Sequence, residues 1–141
     1  MDQAQNNALK ADKDDRELKA MHERFVVALE SAALQKSEIG TMSVSSAYII
    51  CTCLGHTVTA IHRPIADDGS ICAMEYDFLV NWKKDDLSIL RLYLQTNGTL
   101  TRDVGGTVKF QDFNNMYNKG HILAAVCFAL LASPVFKSAE G

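Results

Sequence analysis

Of the 141 residues only two are proline, Pro64 and Pro134, and one is tryptophan, Trp82. So few breakers permit long elements and exclude a proline-rich linker or ligand segment. No apolar run reaches the roughly 20 residues that a membrane-spanning helix needs. The uncharged stretch 120–136 falls short of that length, and Pro134 interrupts it. The four cysteines follow no framework spacing and include no Cys-x-x-Cys pair, which argues against a disulfide scaffold and against dithiol redox chemistry.

Charge of one sign is also scarce. Fourteen Lys and Arg stand against 17 Asp and Glu, a formal charge of −3. Such a chain has no long-range pull toward nucleic acid or anionic lipid. Val104-Gly105-Gly106-Thr107 lacks the spacing of a phosphate loop, and neither a Gly-x-Ser-x-Gly elbow nor a His-Glu-x-x-His helix occurs. The opening residues MDQAQNNALKADKDD contain no apolar leader core. With unpatterned thiols, that composition leads us to expect a cytoplasmic protein.

What is present reads as one globular domain: 48 % of residues are apolar and 22 % charged. We expect a flexible tail over 1–12 and a single α+β domain over 13–137. Leu18, Met21, Phe25, Leu29, Ala32 and Ala33 recur at helical steps, which predicts a helix over about 14–36. Residues 41–55 fit either a short buried helix, favoured here with Ser43 as its cap, or a strand. From Thr57 the period changes to two. Asp68-Gly69 and Asn97-Gly98 are hairpin signals, and the KKDD segment 83–86 is read as an odd-numbered loop. The expected architecture is a four-stranded antiparallel meander with N- and C-terminal helices packed on one face. The final helix is placed from about Asp112, as its cap, to Ser133.

Cys51, Cys53, His56 and His62 fall within twelve positions and raise the question of a metal site. A single residue separates the cysteines, whereas zinc ligand pairs are usually two to four apart. In an extended chain the two histidines would stand roughly 20 Å apart. Buried thiols are the favoured reading, and no metal or other cofactor is expected.

The polar side of the meander offers a second constellation. A two-residue turn at Asp68-Gly69 sets His62 opposite Glu75. The odd loop sets Glu75 opposite Tyr93 and Asp77 opposite Arg91, and the Asn97-Gly98 turn sets Tyr93 opposite Arg102. His62, Glu75, Tyr93 and Arg102 would then form one row, with Asp77 and Arg91 beside it. That row is either a solvated face laced with cross-strand pairs or a small-molecule or acid–base site.

Residues 122–131, ILAAVCFALL, offer water no polar flank over nearly three helical turns. One side can rest on the sheet and another needs cover, which points to Met116, Tyr117, Ile122, Val126, Phe128 and Leu130 as interface residues. The expected protein is a non-enzymatic module that forms a homodimer and binds a protein partner, as an adaptor, inhibitor or assembly cofactor. Its size, acidity and helix–meander–helix order resemble small acidic chaperones of bacterial secretion systems, although no clear helix separates its third and fourth strands.

Overall fold

The computed structural model describes residues 2–32, 39–112 and 119–139. Helix α1 (Gln3–Ala32) is followed by strands β1 (Gly40–Val44), β2 (Ile49–Cys53), β3 (His56–Asp67), β4 (Ser70–Trp82), β5 (Asp85–Gln95), β6 (Thr99–Thr101) and β7 (Lys109–Asp112). Helix α2 (Lys119–Leu131) comes last. The strands form one antiparallel sheet in sequence order, curled as a half-barrel. The α+β class holds, but the meander has seven strands rather than four.

Helix α1 starts eleven residues before the expected position, where the sequence predicted a tail. Asp2 Oδ1 accepts from the Gln5 amide at 2.8 Å, and Gln5 Oε1 accepts from the Asp2 amide at 3.1 Å. This reciprocal pair satisfies two helix-end donors. Lys10–Asp14, Asp12–Arg16, Lys13–Glu17 and Asp15–Lys19 then bridge successive turns at 2.8–3.9 Å. Each such pair adds about 0.3–0.5 kcal/mol, so a helix half without an apolar face gains support along its length. Residues 33–36, the expected helix end, lie outside the described residues.

Residues 41–55 are two strands, not a helix. Met42, Ile49, Cys51 and Cys53 are buried, while Ile50 is half-buried and Thr52 exposed, the alternation of a one-sided sheet. Ser45 rather than Ser43 is the organising serine. Its Oγ accepts from the Ala47 and Tyr48 amides at 3.3 and 3.2 Å and closes the β1–β2 turn. Leu54-Gly55, Asp68-Gly69 and Lys83-Lys84 make two-residue turns with both residues at positive φ.

Both helices contribute to a single core. Leu18, Phe25 and Leu29 of α1 and Ile122, Leu123, Val126 and Leu130 of α2 pack with Tyr76, Phe78, Leu92, Leu94 and Leu100 of the sheet. Contacts of α2 with β5 on one side and with β1 and β2 on the other follow from the curl of the sheet. Asp112 belongs to β7 and is not the cap of the last helix. Among the described residues no helix is long and apolar enough to cross a membrane.

Candidate functional site

Three hairpins set the polar row, and two of them differ from expectation by one residue. In β3–β4 the turn pairs Asp67 with Ser70 as expected, but a bulge at Ile65/Ala66 leaves Cys72 as an extra residue. Beyond the bulge Arg63 stands opposite Glu75, and His62 stands opposite Tyr76. In β5–β6 a three-residue loop, closed by the Gly98 amide on the Gln95 carbonyl at 2.9 Å, sets Tyr93 opposite Thr101. His62 and Arg102 therefore leave the row, and Arg63 and Thr101 replace them. The β4–β5 pairs Glu75–Tyr93 and Asp77–Arg91 are as expected, though for another reason. The Lys83-Lys84 turn is even-numbered, and a bulge at Phe78/Leu79 leaves Ile89 as the odd residue.

The row is self-satisfied. Arg63 Nε lies 3.3 Å from Glu75 Oε1, with the carboxylate side chain only 7 % exposed beneath a guanidinium that is 71 % exposed. Burial, and then the Glu75 charge beside it, pushes the Tyr93 phenol above its ordinary pKa. Asp77 accepts from the Ser88 hydroxyl and lies 3.7 Å from Arg91 Nε. Thr101 is fully buried; its hydroxyl donates to the Asp103 carbonyl at 2.8 Å and accepts from Gln95 Nε2 at 3.1 Å. Each carboxylate here already faces a cation or a hydroxyl, and Asp77 faces both. Such cross-strand pairs stabilise the sheet.

Arg102 loses its place opposite Tyr93 yet still lines, with Ser88, Arg91 and Tyr93, a groove of about 500 Å³, and on its other side its guanidinium sits 5.0 Å from the centre of the Phe110 ring. A groove of about 440 Å³ opens there, lined by Leu90, Arg102, Phe110, His121, Ala125 and Phe128 among others. Its α2 wall carries the expected interface only in part. Ile122, Val126 and Leu130 face the protein's own core at 0 % exposure, whereas Phe128 is 75 % exposed and Leu131 51 %. The sheet therefore covers the flank assigned to a partner at those three positions. Met116 and Tyr117 lie outside the described residues.

His62 reaches a place the sequence did not indicate. Its ring stacks on His22 of α1, with centroids 4.0 Å apart and planes 25° from parallel. His22 is buried, with Nδ1 2.7 Å from Tyr76 Oη and Nε2 2.9 Å from the Ser46 carbonyl oxygen. Helical spacing places His22 four residues from Leu18 and three from Phe25, on the apolar face. That was the available signal for its burial.

The cysteines are free, and Cys51 and Cys53 are buried. Among the described residues no group of three or more His, Cys, Asp or Glu is placed to hold a metal ion. Burial, and then the neighbouring Cys53 thiol, pushes Cys51 up to about 12. Alkylation needs the thiolate, which Cys51 does not reach at about pH 8. Iodoacetamide on native protein should leave Cys51 unmodified, whereas denatured protein should label at all four cysteines. Peptide mass mapping of the two samples checks this.

No protein-family model, curated protein or solved structure matches the chain.

Proposed function

We propose that the protein is a non-enzymatic interaction module that associates with a second copy of itself through the outward face of α2. The observation that carries this reading is Phe128, 75 % exposed on a helix with no charged residue after Lys119. Ala125 and Leu90 extend the apolar surface into the adjoining groove, and Leu131 adds a half-exposed side chain one turn on. A two-fold axis brings each surface against itself. An apolar face is self-complementary, with Arg102 the one cation among the described residues of the adjoining groove's wall, and the chain's net −3 disfavours other self-contacts. Burying a phenylalanine on each side supplies about 1.5–3 kcal/mol per ring. The charge-paired polar row, with Glu75 engaged by Arg63 and Asp77 by Arg91, supports a role without catalysis. In this reading the dimer is the platform on which a further protein partner docks, in the cytoplasm.

Light scattering coupled to gel filtration tests the association. The wild type should run at about twice the 15.5 kDa chain mass. Phe128→Asp should run as a monomer and melt like the wild type at dilutions where the wild type is itself monomeric, because the ring has few neighbours to lose within its own chain. A wild type that stays monomeric up to about 1 mM, a standard affinity of only ~4 kcal/mol, overturns the reading.

A further inference from the structure

We propose that the stacked His22–His62 pair is an acid-sensitive latch, holding the tip of the β1–β2 hairpin against α1 and β3 while His62 is neutral. The two rings come from different elements and stack at 4.0 Å, and His22 carries the bond to the hairpin, with Nε2 2.9 Å from the Ser46 carbonyl oxygen. Ser46 and Ala47 are themselves exposed. The hairpin belongs to the sheet's edge, where, among the described residues, β1 pairs only with β2.

The partners fix the tautomer of His22. A carbonyl only accepts, so Nε2 carries a hydrogen, and in the neutral ring Nδ1 accepts from the Tyr76 hydroxyl at 2.7 Å. A charge on His62 would sit 4.0 Å from this ring, which is 4 % exposed and whose nitrogens are both engaged.

Burial favours neutrality, and one nearby charge opposes it. The pocket beside the rings, about 520 Å³, is lined by Lys19 and Glu23 of α1, Arg63 and Pro64 of β3, and Met74 of β4. Both cations are engaged, Lys19 by Asp15 at 2.8 Å and Arg63 by Glu75 at 3.3 Å, so Glu23 is the charge that favours a proton on His62. Burial first, and the His22 ring second, hold His62 below its ordinary value of 6.5, with Glu23 and the Ala47 carbonyl opposing. The sign follows: the folded form binds fewer protons than the unfolded one, so the latch is intact above about 6.5 and weakens as pH falls through the lowered value.

Hydrogen exchange of the 40–53 amides at about pH 7.5 and about pH 5, corrected for intrinsic chemistry, tests the latch. Wild-type hairpin amides should lose at least about tenfold in protection at the lower pH while β4 amides hold theirs. His62→Gln removes the titrating ring stacked on His22 and leaves the His22–Ser46 bond in place, so its hairpin should stay protected at both pH values. Equal wild-type protection at the two pH values overturns the proposal. So does a His62→Gln hairpin that opens with acid as the wild type does.

Discussion

Replacing Phe78 by alanine should lower the free energy of unfolding by about 3–5 kcal/mol, the range for emptying a buried phenylalanine site. Phe78 sits midway along β4, paired with Ala60 of β3 on one side and Leu90 of β5 on the other, and it is 1 % exposed. Collapse around the void is restricted from two directions. The neighbouring strands are tied into long ladders, and both helices press onto the same core. A domain of this size has roughly 5–15 kcal/mol of stability in total, so the substitution should consume a large part of it. Urea denaturation measures the change, and an unaltered slope would confirm that the denatured state is not the source. A loss below about 1 kcal/mol would mean that the β4 face is packed less tightly than the burial of Phe78 requires.

The same strand shows how far the sequence could be read. Alternation along β4 is unambiguous, and Met74, Tyr76, Phe78 and Val80 all reach the core as their spacing requires. Pairing partners are harder, because they depend on where an extra residue is hidden. A slip of one position exchanges the two faces of a strand. Cys72 is such an extra residue: it lies inside an apolar run, obeys the alternation, and gives no compositional hint that it is a bulge. Its presence moves His62 from beside Glu75 to opposite Tyr76, and so from the polar row to the stacked pair. The Asn97-Gly98 dipeptide misled in the same way. Its asparagine and glycine suit both a two-residue turn and the last two positions of a three-residue loop, and the second moves Arg102 out of the row. Glu75, Asp77, Arg91 and Tyr93 remained in place because the β4–β5 register was constrained by apolar sides on both strands.

Residues 41–55 failed for a different reason. Val44, Ala47, Tyr48, Cys51 and Leu54 satisfy a helical stripe as well as Met42, Ile49, Cys51 and Cys53 satisfy a strand face. Short apolar runs of this kind are arbitrated by partners, and the partner is the edge of β3. The N-terminal tail was misread because a capping pair and four charge pairs leave no apolar periodicity, although they support a helix on their own terms.

The direction in which α2 faces is open to a decisive comparison. Val126→Asp should abolish cooperative folding, while Phe128→Asp, two positions away, should still melt cooperatively and lose only the stabilisation that association adds. Residues two apart on a helix point about 200° from one another at 3.6 residues per turn. Val126 is fully buried, within the cluster formed by both helices and the sheet, and no buried basic side chain belongs to that cluster. A carboxylate there either stays charged without a partner or takes up a proton, and the penalty runs to several kcal/mol in addition to the lost apolar packing. That sum rivals the whole stability of the domain. At Phe128 the carboxylate meets water, so only the proposed contact between copies is lost. Circular dichroism melts of the two variants, run beside light scattering, separate packing within the chain from association between chains. If both variants melt like the wild type, α2 is not held against the sheet by Val126, and the burial of its inner flank must come from elsewhere.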